Sequence, residues 1–469
     1  MDENGDPDCP LKNTNDAYYL EFSADCPEDE INMYGGLAGT GIDFPCGDDE
    51  PLKCGFFRTG RDALGLWWLV DPSNQPFFSA GLNSIYPQDN PAFDDIFPGG
   101  GDDWAASVKD LLETAKINTM GCWSNFKDLQ SRGLQKPYTV QLNMAQYYKG
   151  QSASKYDNYL TYGAIPVFNN DFESVLLEYA KETIEAANYV DDAYLVGYFT
   201  DNELPLYPSG TFGTMIERYL NLPSTTDGFT WARNWLLSER HPDSGLPEDE
   251  TDVDKLMSLV DSSDENEFTQ EVTQRYYSAT LQAIKAVDPH HMHLGSRLHG
   301  AAKNNEFIIR GAKAAGIDVL SVNFYCKHDP LDTAYTTQDG TSYETFIQMW
   351  EAEGPGPSII TEYYTKALDA NDNGDIYMNG VGGGYTVENQ QERAHWFEYF
   401  TSRVIAVNGI VGVHWFSYND AVYEDKNTGK TEFSNRGLVD NNYVPYEPLY
   451  SSMKKIFSHI IQLVNLTLP

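Results

Sequence analysis

Two glutamates fall where a carboxylate needs a reason to be. Glu203 ends the apolar run "AYLVGYFTDNE", and Glu362 ends the run "PSIITEYYT". Taking a charged group out of water costs free energy unless it is paired. An acid at the tip of a buried strand is therefore solvated, paired or put to use. Two carboxyls on facing strand ends can cleave a glycosidic bond. At about 5–5.5 Å apart, one protonates the leaving oxygen while the other attacks the anomeric carbon; at about 6.5–9.5 Å a water fits between them. The proton donor needs a raised pKa, supplied by burial or by the second carboxylate. One such glutamate alone is an ordinary solvated strand end. Asn202-Glu203 on one strand with Glu362 on another is a catalytic constellation.

The elements that must position this pair can be read from about residue 56 onward. Short β-like runs alternate with helical patterns. The runs are Phe77 to Ile85, Asn118 to Phe126, Tyr138 to Met144, Tyr194 to Glu203, His290 to Gly300, Asp318 to Cys326, Pro357 to Thr365 and Gly409 to Asp420. Strands apolar on both faces indicate a parallel sheet covered by helices. Eight such units predict an α/β protein with a (β/α)8 TIM barrel over 56–469, preceded by a short cysteine-rich N-terminal segment over 1–55. A doubly wound open sheet is the alternative, but no GxGxxG or GxxxxGK[ST] follows a strand. Residues 204 to about 263 and 366 to 387 form long connections after strands 4 and 7, on the face where a barrel carries its active site.

Polar and aromatic residues gather at the predicted strand ends. These are Asn83 on strand 1; Trp123 and Asn125 on strand 2; Asn202 and Glu203 on strand 4; and Arg297 and His299 on strand 5. Asn323 and Tyr325 follow on strand 6, Glu362, Tyr363 and Tyr364 on strand 7, and His414, Trp415 and Tyr418 on strand 8. Aromatic faces stack on the C–H faces of a pyranose, so this rim suits a sugar. Arg297 is the one basic residue expected there, and Asp201 is expected to support its loop. Cys122 and Cys326 read as buried thiols. His290, His291 and His293 lie at the start of strand 5, the wrong end for catalysis, and read as structural. "DANDNGDIYMNG" (Asp369 to Gly380) echoes a calcium loop, but its twelfth position is Gly380 where a bidentate Glu belongs. It reads as a polar turn, and no metal or cofactor is expected.

Composition narrows the class. There are 70 Asp+Glu against 31 Lys+Arg, a formal charge of −39, which repels nucleic acid and anionic membranes. No apolar run is long enough to span a bilayer. The acidic start is no signal peptide. Cys9, Cys26, Cys46 and Cys54 nevertheless cluster in a segment with a poor core, where disulfides supply order. Four cysteines allow three connectivities, and the spacing does not choose between them. A secreted protein whose leader has been removed is the expectation.

Asn202-Glu203, Tyr325, Glu362 and Trp415, at strands 4, 6, 7 and 8, resemble glycoside hydrolase clan A. The blocks "GYFTDNE", "VENQQERAHWFEYF", "IVGVHWFSYND" and "LWWLVDPSNQPFFSAGLNS" resemble the family-50 β-agarases over roughly 60–469. The resemblance implies a retaining enzyme on β-linked galactan of agar type, a polysaccharide or oligosaccharide. Glu203 would be its acid/base and Glu362 its nucleophile. It implies further that Asn202 bonds the sugar 2-hydroxyl and Tyr325 donates to Glu362. Asn83, Trp123, Asn125, His299 and Asn323 become sugar contacts, and Trp415 the floor beneath the sugar at the cleaved bond. Two departures from the family are expected: the absence of its N-terminal carbohydrate-binding-like domain, and the long connection after strand 4. A clan-A hydrolase of another β-glycan (a β-glucanase or β-galactosidase) and a non-catalytic glycan-binding barrel are the alternatives.

Overall fold

The computed structural model describes residues 12–13, 20–22, 26–46 and 53–465, apart from 89, 91, 152–158, 160–161, 208–211, 326–342, 355, 373–374, 377–378, 380–381 and 426–429. Eight short parallel strands form one sheet. They are β1 (Ser79–Leu82), β2 (Thr119–Met120), β3 (Tyr138–Gln141), β4 (Leu195–Phe199), β5 (Met292–His293), β6 (Leu320–Asn323), β7 (Ser358–Tyr363) and β8 (Ile410–Trp415). Their order across the sheet is β5-β4-β3-β2-β1-β8-β7-β6, so each strand lies beside its successor and β8 returns to β1. The two ends of that order are joined as well. Val319 N–H donates to the His293 carbonyl at 3.0 Å, Leu298 N–H to Ser321 at 2.8 Å and Asn323 N–H to Leu298 at 2.8 Å. The arrangement is consistent with a TIM-like barrel.

A helix follows every strand: α1 (Gly101–Thr114), α2 (Phe126–Ser131), α3 (Phe172–Ala180), α4 (Ser262–Val287), α5 (Glu306–Ala315), α6 (Tyr343–Glu353), α7 (Gln390–Ile405) and α8 (Glu447–Phe457). Their ends follow from sequence. Asp261 and Asp264 cap the start of α4 reciprocally. The Asn305 side chain accepts from two N–H groups at the start of α5, which stops at left-handed Gly316. Caps of this kind satisfy backbone groups that a helix leaves open.

Alternating side chains divide the apolar residues into two cores. One fills the space between strands and helices. The other includes Val196, Phe199, Met292, Leu294, Val319, Ile359 and Val411, packed with Phe57, Leu69 and Phe77. Leu69 and Phe77 come from an antiparallel sheet of Arg58–Arg61, Trp67–Val70 and Pro76–Phe77, and Phe57 immediately precedes its first strand. It runs straight into β1 and so closes the barrel at the strand N-termini, leaving the other end for chemistry.

Cys46 and Cys54 form a disulfide with Cα atoms 5.8 Å apart. Cys26 is also disulfide-bonded, while Cys9 lies outside the described residues. Lys53 pairs with Asp318 at 3.5 Å, tying this segment to the barrel. Cys122 is a buried free thiol; Cys326 lies outside the described residues. No helix among them is long and apolar enough to cross a membrane. The histidines at the β5 start are structural. His291 bonds Asp288 at 2.7 Å and the Asp192 carbonyl at 2.9 Å, and His293 bonds Thr280 at 3.0 Å.

The connection after β4 is not an open loop. It holds the helices Met215–Leu220, Asp227–Asn234 and Val253–Met257. Its aromatics pack on residues that follow β3, with Phe168 stacked on Trp231 at 3.9 Å. Buried Arg218 ties both connections by donating to the carbonyls of Gly163, Pro205 and Tyr207. After β7, Lys366–Ala367 pairs with Thr386–Val387, and Asn371–Asp372 with Asp375–Ile376 as a hairpin within the calcium-like stretch. Asn373, Gly374 and Gly380 of that stretch lie outside the described residues.

Candidate active site

The chain turns sharply as it leaves five successive strands. Ser84, Trp123, Asn143, Glu203 and Arg297 follow β1 to β5 with φ of +58°, +61°, +59°, +53° and +56°. The left-handed region costs a non-glycine residue about 1–2 kcal/mol, and such residues cluster at functional sites. All five lie at the C-terminal end of the barrel.

Glu362 sits at the end of β7, 4% exposed. Arg297 Nη2 donates to its Oε1 and the Tyr325 hydroxyl to its Oε2. Burial raises the Glu362 carboxyl, Glu203 adds to the rise, and Arg297 and Tyr325 oppose it. Arg297 was expected at the rim. It is instead 0% exposed, because a carboxylate this deep needs a counter-charge at the same depth. Its guanidinium lies 4.3 Å from the Trp123 ring centre and 5.5 Å from that of Phe199, and its Nη1 donates to Gln141 Oε1 at 3.4 Å.

Glu203 lies in a different setting, with a third of its side chain exposed. Asn323 Nδ2 donates to its Oε1 at 2.8 Å and to Asn202 Oδ1 at 3.3 Å, while Asn323 Oδ1 accepts from Thr361 at 2.8 Å. His299 Nδ1 is 4.0 Å from Glu203 Oε2. The structure thus brings Asn202, Glu203, His299, Asn323, Tyr325 and Glu362 together. Asn323 was expected to hold sugar hydroxyls. Its amide is fully buried and occupied on both sides, so it orients Glu203. Asp201 supports its surroundings as expected: it accepts from Ala145 N–H at 2.9 Å and from the Tyr276 hydroxyl at 2.6 Å.

Other expected sugar contacts fall elsewhere. Asn83 is 0% exposed. It donates to the carbonyls of Thr361 and Trp415, so it braces β1 against β7 and β8 and cannot meet a substrate. Trp415 does not floor a sugar site either. It is 1% exposed, packs edge-on to Tyr363 and Phe397, and gives its indole N–H to the Arg436 carbonyl at 3.0 Å. The reason is alternation: Val413 and Trp415 face the helices while His414 and Phe416 take the other side. His414 turns into the barrel and bonds Ser79 at 2.8 Å, against Gly81, where a Cβ would come within 2.2 Å of its ring. Tyr363 and Tyr418 are buried too.

Aromatics that stay open at the mouth include Trp123, 41% exposed, and the partly buried Phe416, whose ring centre is 5.7 Å from that of Trp123 and 6.1 Å from that of Tyr364. Asn125 is exposed and opens α2. Phe416 and Gln141 were not anticipated. Phe416 was legible in the alternation of "VHWF", and Gln141 as the polar end of "YTVQ".

No family model matches the chain. It is 25% identical to β-agarase A of Vibrio sp. (strain JT0107) over 497 aligned positions, covering 88% of this chain and 46% of that protein. It is 28% identical over 200 positions to β-agarase B of the same strain, covering 42% of this chain and 18% of that one. The chain thus spans less than half the length of these curated relatives. Among solved structures, BpGH50 matches with a TM-score of 0.74 at 23% identity, covering 95% of this chain and 90% of that one. An exo-β-agarase matches with a TM-score of 0.69 at 18% identity, covering 94% and 68%. The chain therefore shares its fold with BpGH50 and with an exo-β-agarase, and its sequence is similar to two β-agarases.

Proposed function

We propose that the chain is a retaining glycoside hydrolase of clan A, cleaving β-linked galactan of agar type, with Glu203 as acid/base and Glu362 as nucleophile. The observation that carries this reading is the unequal setting of two carboxyls at one barrel mouth. Glu362 is buried against Arg297 and Tyr325, whereas Glu203 is partly open and held by Asn323. A carboxylate with a fixed counter-charge suits attack, and one open to the substrate suits proton transfer. In the first step the Glu362 carboxylate bonds the anomeric carbon as the glycosidic C–O bond breaks, and the leaving oxygen takes the Glu203 proton. In the second, Glu203 takes a proton from a water whose oxygen attacks the same carbon, and the bond to Glu362 breaks. Two inversions retain the configuration.

Asn202 is assigned to the sugar 2-hydroxyl, His299 to a neighbouring hydroxyl, and Trp123 and Phe416 to the sugar faces. Similarity to two β-agarases supports galactan as substrate. The disulfide-bonded N-terminal segment and a polymeric substrate support secretion.

The test is turnover of agarose and its oligosaccharides, with the anomer of the first product read by NMR. E362A abolishes turnover in a folded protein, and E203Q lowers kcat by about 10²–10⁴. First release of the α anomer sinks the retaining mechanism. Cleavage of another β-glycan with galactan untouched replaces the substrate and keeps the mechanism.

A further inference from the structure

The β3 end carries a polar pair that the two-glutamate chemistry does not use. We propose that Gln141 and Asn143 form a donor arm that reads ring hydroxyls of the sugar seated over Glu362, Gln141 being the specificity-determining residue. The proposal rests on the glycosidase reading above and extends it to how the sugar is recognised.

The arm begins at the nucleophile. Arg297 gives Nη2 to Glu362 and Nη1 to Gln141 Oε1 at 3.4 Å, so the Gln141 amide lies one guanidinium width from the Glu362 carboxyl. Arginine carries donors only, and this fixes which end of the amide faces it: the oxygen. The Gln141 NH2 then points to Asn143, whose Oδ1 accepts at 2.5 Å. Both acceptor oxygens are now engaged. What remains is one N–H on Gln141 and two on Asn143, with no partner among the described residues. Both side chains are half-buried, so these donors reach the mouth without being fully hydrated. Asn143 holds φ of +59°, a conformation Asn tolerates better than most residues.

A row of neutral donors recognises acceptor oxygens. Beside the Glu362 carboxylate of the proposed mechanism those oxygens belong to uncharged hydroxyls, since an anionic substituent meets its repulsion. A site built to bond a hydroxyl discriminates strongly against the analogue that lacks it.

The experiment measures kcat/KM for wild type, Q141M and N143G. The substrates are β-linked galactosyl and glucosyl oligosaccharides, each also prepared with single ring hydroxyls removed from the sugar at the cleaved bond. Q141M is expected to lose about tenfold on the parent substrate, to lose nothing further on one deoxy analogue, and to leave the acid limb of the pH profile in place. N143G keeps the left-handed backbone and removes the outer donors, so it tests the arm should Q141M fail to fold. Equal loss on the parent and every analogue overturns the proposal, as does an acid limb that moves with Q141M; Gln141 is then only a prop for Arg297. A wild type that cleaves glucosides and no galactoside removes the galactan reading, and the same cycle on the glucosyl series then decides the role of Gln141.

Discussion

At the scale of single residues, the proposed mechanism turns on keeping one carboxylate charged. Glu362 is buried, and burial favours its neutral form; Arg297 and Tyr325 favour the ion. Glu203 adds to the push toward the neutral form, Arg436 adds a second positive charge, and buried Cys122 senses both Arg297 and Glu362. If Glu362 must be ionised to attack, removing Arg297 takes away the largest influence opposing burial. Its pKa then rises, and the acid limb of kcat/KM moves to higher pH in R297Q. Y325F moves it the same way by less. An acid limb unchanged in R297Q refutes the assignment of Glu362 as the ionised partner. Glu203 and Glu362 were legible in sequence because a charge ending an apolar run is conspicuous. The depth of Arg297 was not, because "GSRLHG" reads equally well as an exposed strand tip.

At the scale of elements, the outcome depends on which face of a strand each residue takes. In β8 the alternation sends Trp415 toward α7 and Phe416 toward the mouth. W415A is therefore expected to cost about 3–5 kcal/mol of stability, the usual range for emptying a buried Trp site. F416A is expected to leave stability near that of wild type and to lower kcat/KM by about tenfold through lost stacking. Urea unfolding and steady-state kinetics on both variants separate the two; F416A unfolding as easily as W415A contradicts the assignment. Register decided Asn83 and Asn323 in the same way. Each was visible as a polar strand end, and each is consumed by neighbouring strands, one by the carbonyls of Thr361 and Trp415, the other by Glu203 and Thr361.

At the scale of the whole molecule, buried histidines set the response to acid. Burial holds His293 and His414 down to about 3, and the Arg297 charge adds to this for His414. Well above pH 6.5 both are neutral whether the chain is folded or not. Between 6.5 and 3 the unfolded chain takes up protons that the folded one refuses, so stability falls as pH falls. Asp29 and Asp420, raised to about 6 by burial, act oppositely over about 4 to 6, with smaller displacements. The urea midpoint is therefore expected to drop from pH 7 to pH 4.5, and H293Q, which can still bond Thr280, to flatten that slope. A slope unchanged in H293Q contradicts the account. The sequence by itself determined the eight alternating units, their order, and the two glutamates at strand ends, because hydrophobic periodicity and charge at its boundaries are local properties. Only the tertiary structure decided that Arg297 lies beneath Trp123, that Asn323 serves Glu203, and that Gln141 joins the site. These contacts link strands distant in sequence, and closure of the barrel sets the depth and face at which each side chain arrives.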